Sequence, residues 1–239
     1  MYEDLTHQNQ PTLDPFRTGK AYSAAQAARL AGTTPATARR WLLGYEAPGH
    51  QMAPVFGVGR ATIEEGPLVV SFLDLVEIAV VARFRSAQSR RGQVTLERLR
   101  HAHRYAREQL GFPYPFATLS LSEFGGHILH QFDTLYPGPG ILALDTGGQW
   151  ALPGVVQDEM VRLDFGSADP FAIRWFPRGR SVPIVVDPHI AAGRPTILES
   201  GVTLETISRR WHGGESIEAL AQDYDLVPRV VEEVLKYAA

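Results

Sequence analysis

Asp187-Pro188-His189-Ile190-Ala191-Ala192-Gly193-Arg194-Pro195-Thr196-Ile197-Leu198-Glu199-Ser200-Gly201-Val202-Thr203 packs turn chemistry, a short strand and a helix start into one stretch. Pro188 and Pro195 each fix φ and push the preceding residue, Asp187 or Arg194, towards extended backbone. Gly193 and Gly201 are free to take φ > 0. Thr196-Ile197-Leu198 reads as a brief strand between them, and Thr203 offers its hydroxyl as the N-cap of a helix that begins at Leu204. Working outward, residues 216–223 and 228–238 give two more short helices. The chain therefore ends in a trihelical unit with helix-turn-helix proportions, a framework and not a catalytic motif.

The run Asp187-Pro188-His189-Ile190, Gly193-Arg194-Pro195-Thr196-Ile197, Gly201-Val202-Thr203 resembles the opening of the antitoxin-type family known as domain of unknown function 433. The resemblance spans about residues 185–237. It implies a three-helix antitoxin domain. Members stand beside PIN-fold ribonuclease toxins, and longer ones carry an N-terminal helix-turn-helix. The chain looks like one of those longer ones, a VapB-type antitoxin.

Composition sets the outer bounds. At 239 residues, 44% hydrophobic and 21% charged, the chain has the makeup of an ordinary folded protein with one large core or two smaller ones. It has no apolar run long enough to span a bilayer, and its polar start lacks a signal-peptide segment, so the cytoplasm is the expected compartment. The absence of cysteine excludes disulfides, thiolate metal sites and cysteine nucleophiles. The net charge of −3 hides a polarity: basic residues outnumber acidic ones up to residue 110, and the reverse holds beyond it.

Residues 1–20, with two prolines and few large apolar side chains, read as a flexible arm. Ser23-Ala24-Ala25-Gln26 has the spacing of a capping box, the helix it opens ends at Gly32, and Thr34-Pro35 starts another. Residues 52–70, with Gly57, Gly59 and Gly66, read as a hairpin, the wing. Ser71 caps a helix apolar on most sides, and Thr95 caps one with Leu96, Leu99, Ala102, Ala106 and Leu110 inward. The order helix, turn, helix, wing, apolar helix, basic helix resembles the DNA-binding half of MerR-type regulators, carried by Tyr22-Ser23-Ala24-Ala25-Gln26-Ala27-Ala28-Arg29-Leu30-Ala31-Gly32 and Thr37-Ala38-Arg39-Arg40-Trp41. With Ala38, Trp41 and Leu42 inward, Thr37, Arg39 and Arg40 face a DNA groove, and Arg60 near the wing tip meets the flanking backbone.

From Phe112 the texture changes to prolines and short β-like runs at 116–121, 127–132, 141–144, 149–152, 160–165 and 171–176. Arg83, Arg85, Arg90, Arg91, Arg98, Arg100, Arg104 and Arg107 have only Glu97 among them as counter-charge; such a run is either a solvated face or an extended phosphate footprint. His101 and His103, two apart on a helix, face different ways, as do His127 and His130 on a strand-like run. No catalytic, phosphate-loop or metal-binding motif is present, and the expectation is a non-enzyme with no cofactor or metal.

The fold class expected is α+β: a flexible arm at 1–20, a MerR-like winged helix-turn-helix domain at 21–111, a β-rich middle segment at 112–183, and an antitoxin-type trihelical domain at 184–239. The function expected is the antitoxin of a type II module, with operator double-stranded DNA and, by the resemblance, a PIN-domain ribonuclease toxin as partners. Because one recognition helix makes few base contacts, the chain is expected to be a homodimer. Arg194, Glu232 and Glu233 are the candidate partner-binding residues. The outward face of the last helix, Arg229, Glu232, Glu233 and Lys236, sums to zero and suits a protein better than phosphate. The alternatives are a MerR-type regulator sensing a small molecule without a toxin, and a pure interaction module.

Overall fold

Hydroxyl and carboxylate caps decide where the helices begin. The computed structural model describes residues 13–57, 67–86, 88–89, 92–118, 143–144, 150–151, 154–167 and 169–238. It falls into two units, the first reaching to Val161 and taking in Phe165–Ala172, the second made of Arg162–Asp164 and Ile173–Ala239. In the first unit, α1 (Pro15–Thr18) follows Asp14, whose carboxylate accepts from Phe16 N. α2 (Ala24–Leu30) has the expected capping box: Gln26 N donates to Ser23 Oγ at 3.2 Å and Ser23 N to Gln26 Oε1 at 2.9 Å. α3 (Pro35–Leu43) opens on Thr34, α4 (Phe72–Ser86) on Ser71 and α5 (Leu96–Gln109) on Thr95. α6 (Gly154–Met160) completes the helices described in this unit.

The strands are two to four residues long and form small sheets. Tyr22–Ser23 pairs with Val69–Val70, Tyr45–Ala47 with His50–Met52, Gln88–Ser89 with Gly92–Gln93, and Ala143–Leu144 with Trp150–Ala151, all antiparallel. The chain is thus a mixture of helices and small antiparallel sheets, an α+β protein.

α4 is the axis of the first unit. Phe72, Leu73, Leu75, Val76, Ile78, Val80, Val81 and Phe84 are all buried, as a helix apolar on every side requires. α1, α2, the tight turn Pro115–Ala117 and α6 pack around it. The first unit therefore continues past residue 111, because Phe116 and Ala117 are buried against α4.

Three expectations are corrected. The hairpin expected over 52–70 lies earlier, at 45–52: Pro48-Gly49 forms its tip, Gly49 has φ 79°, and Val69–Val70 pairs with Tyr22–Ser23 instead. Residues 58–66, with Arg60, lie outside the described residues. The strand expected over 160–165 begins only at Leu163; Met160 closes α6, where Val156, Glu159 and Met160 are buried at helical spacing. Within the stretch read as an arm, Pro15–Thr18 is helical and Arg17 is buried, its Nη1 donating to Asp169 Oδ1 at 2.9 Å and its Nη2 to Asp169 Oδ2. The run at 127–132, with His127 and His130, lies outside the described residues.

The second unit is built on the opening stretch of the sequence analysis. Ile184–Val185 pairs with Thr196–Ile197, and Thr203 accepts from Thr206 N at 3.2 Å to start α7 (Leu204–His212). α8 (Ile217–Asp223) and α9 (Pro228–Ala238) follow. Their core joins Ile184, Ile197, Leu204, Ile207, Leu220, Leu226, Val231 and Val234. Asp187 fixes the start: His189 N donates to its Oδ1 at 2.9 Å and Arg174 Nε to its Oδ2 at 2.7 Å.

Candidate nucleic-acid interface

The candidate surface is made by α2, α3 and the hairpin that follows them. Ala27, Ala28 and Ala31 of the first helix and its cap, with Ala38, Trp41 and Leu42 of the second, are buried. α2 and α3 pack together, the small residues on α2 letting the two helix axes approach. That inward face leaves Ala36, Arg39 and Arg40 exposed and Thr37 half-buried.

Each exposed side chain is in a different electrostatic state. Thr37 N donates to Thr34 Oγ1 at 3.1 Å, and the Thr34 hydroxyl donates to Thr37 Oγ1 at 2.8 Å. Thr37 therefore keeps its own hydroxyl proton to donate outward. Among the described residues, Arg39 and Arg40 have no carboxylate partner. The Arg40 guanidinium carbon lies 5.4 Å from the centroid of the Tyr45 ring, the first residue of the hairpin. Glu46, His50 and Gln51 are exposed on the hairpin. Gly44 makes this junction possible, since its φ is 77° and a Cβ there would stand 2.2 Å from Met52 O.

The row of arginines beyond Ser71 is neither one solvated face nor one footprint. Arg83 Nε donates to the buried Glu159 Oε2 at 2.7 Å, Arg85 Nη1 donates to Val94 O, and Arg100 Nε to Ala53 O. Arg98 is buried. Arg104 and Arg107 are exposed, with Arg107 folded over Gly57, while Arg90 and Arg91 lie outside the described residues.

A buried polar cluster escaped the sequence reading. Glu77 of α4 accepts from Phe116 N at 3.1 Å and faces His103 Nε2 of α5 at 3.1 Å, with both side chains fully enclosed. The His103 ring meets the edges or faces of Phe56 and Phe116 at 5.7 and 5.3 Å. This ties three elements together and offers no open face to a substrate. Among the described residues, no group of three or more His, Asp or Glu is arranged to hold a metal ion, and no helix is long and apolar enough to cross a membrane.

In the second unit, the candidate partner-binding residues stay apart in role. Arg194 is exposed, its Nε donating to Ala191 O at 3.1 Å and its Nη1 3.7 Å from Glu205, so it braces its own turn. Glu232 is exposed on α9. Glu233 accepts from Lys236 Nζ at 3.0 Å, and that ammonium holds its carboxyl below the usual carboxylate range. Arg210 gathers Glu215 and Asp223, with its Nε 2.7 Å from Glu215 Oε1, binding the end of α7 to the turn and to α8.

An α+β chain whose last residues form this Asp-Pro-opened three-helix unit fits one family. Residues 184–238 match the family described as "Protein of unknown function (DUF433)". Over 234 residues the chain is 30% identical to "Uncharacterized protein Rv2308" of Mycobacterium tuberculosis, covering 91% of this chain and 90% of that protein, and it belongs to the same family. It is 24% identical over 230 residues to a protein of the same organism named "Putative antitoxin VapB45", covering 90% and 92% of the two chains. The crystal structure of Rv2018 from Mycobacterium tuberculosis shares the fold, with a TM-score of 0.73 at 22% identity, covering 90% of this chain and 97% of that one.

Proposed function

We propose that the chain is the antitoxin of a type II toxin–antitoxin module. In this reading α2, α3 and the 45–52 hairpin form a winged helix-turn-helix that binds operator DNA as a homodimer and represses the module's own transcription. The second unit neutralises a PIN-domain ribonuclease toxin, with Glu232 among the contacts. The protein has no enzymatic step of its own and works in the cytoplasm.

One observation carries the DNA-binding half. Arg39 and Arg40 stand side by side on α3 with no carboxylate partner among the described residues, whereas Arg17, Arg83, Arg174, Arg180 and Arg210 are each engaged by an acidic group. Guanidinium groups left unpaired on an exposed helix suit phosphates and guanine edges. The relation to a protein named as a VapB antitoxin supports the toxin-binding half.

The test combines the purified full chain with the duplex upstream of its own gene and with the product of the adjacent reading frame. The expected result is a salt-sensitive complex with that duplex, and a co-purifying adjacent protein whose ribonuclease activity the chain suppresses. An adjacent gene for a transporter, together with a chain that binds the duplex only when a small molecule is present, would favour a MerR-type regulator instead.

A further inference from the structure

The two adjacent arginines of α3 are not equivalent, because only one of them is held by a neighbouring ring. Residues 40 and 45 would stand about 140° apart around a continuous α-helix and would not meet. Here α3 ends at Leu43, and Gly44, at φ 77° where a Cβ would stand 2.2 Å from Met52 O, turns the chain back so that Tyr45 starts the hairpin. The half-buried Tyr45 ring, paired across the hairpin with Met52, then lies 5.4 Å from the Arg40 guanidinium carbon. That is cation–π range. No comparable contact is present for Arg39 among the described residues.

The consequence lies in donors and in entropy. An arginine held by a carboxylate spends its N–H groups on that partner; one held by a ring face keeps its full planar fork available. The ring also narrows the orientations of the side chain before any ligand arrives, which lowers the cost of ordering it on binding. A pre-oriented fork suits bidentate reading of a base edge, above all guanine O6 and N7, whereas a freely moving neighbour suits a phosphate.

Resting on the DNA-binding reading, we infer that Arg40 is the base-reading residue of this interface, oriented by Tyr45 as a positioning residue, and that Arg39 contacts the phosphate backbone. The natural target therefore contains a G·C pair in each half-site under Arg40.

Selection from a randomised duplex pool with the full chain tests this. The unsubstituted chain should enrich a motif containing a G·C pair, and Arg40→Ala should lower the preference for that pair about tenfold or more. Arg40→Lys should lose the same preference while leaving the salt slope unchanged, since the charge stays and the fork goes. Tyr45→Leu should reduce the preference about two- to fivefold, and Tyr45→Phe should keep it. Arg39→Ala should weaken binding to every sequence alike and reduce the salt slope by about one. Circular dichroism of each variant checks its fold, and Arg40→Lys carries the test if Tyr45→Leu unfolds. A preference that survives Arg40→Lys and Arg40→Ala, or that disappears with Arg39→Ala, overturns the assignment while leaving DNA binding intact. A folded parent chain that enriches no motif overturns the DNA-binding reading itself, and this inference with it.

Discussion

Gly44 is where a single missing carbon has the largest effect. Any side chain there meets Met52 O at 2.2 Å and must also take a φ of 77°, so both clash and backbone strain oppose it. Gly44→Ala should lower stability by about 2 kcal/mol or more, read as a lower urea midpoint, and should weaken DNA binding through the displaced hairpin. The Arg17–Asp169 pair has a pH signature. Hydrogen bonding to Arg17 holds the Asp169 carboxyl below its ordinary value. The pair's stabilisation is therefore present above the ordinary carboxylate range, and is lost as pH falls through the depressed value. Asp169→Asn should destabilise by about 1–2 kcal/mol near neutral pH, because it removes the carboxylate that the buried Arg17 guanidinium donates to and leaves only the longer 3.7 Å pair with Asp14. The gap in melting temperature between the two proteins should narrow on acidification; a gap independent of pH would show that the pair is not what stabilises α1.

Helix starts follow from short-range chemistry, and so they are the part of the fold most legible in sequence. Ser23, Thr34, Ser71, Thr95 and Thr203 each cap the helix expected of them, because a cap needs only the hydroxyl and a backbone N–H three residues on. Thr203→Ala should accordingly cost about 1 kcal/mol and lower the melting temperature with little change in helical signal otherwise. Charges in the core were illegible for the opposite reason. Glu77 meets His103 across 26 residues, Arg83 meets Glu159 across 76 and Arg17 meets Asp169 across 152, and nothing local in the sequence marks such partners. The outward face of α3 was readable from the positions of Ala38, Trp41 and Leu42, whereas the ring under Arg40 was not. The sequence pattern placed the hairpin by its glycines at 57–66, and Pro48-Gly49, the turn that forms it, carries the same chemistry in fewer residues.

At the scale of the whole molecule, the two units allow the proposed roles to be tested separately. A chain ending at residue 172 lacks the three-helix unit and keeps α2, α3 and the hairpin. It should still bind the upstream duplex and should fail to suppress the adjacent ribonuclease. Suppression by the shortened chain would move the toxin contact to the first unit. A cut after residue 111 is a different matter, because of the buried cluster at Glu77. It would remove the Phe116 amide that Glu77 accepts from and one of the two aromatic rings against His103, opening both to water at the centre of the unit. The part of this chain proposed to read DNA is therefore not a portable module: moved to another protein without the segment beyond α5, it should arrive as a loosened helix bundle, susceptible to proteases and prone to bind whatever apolar surface it meets.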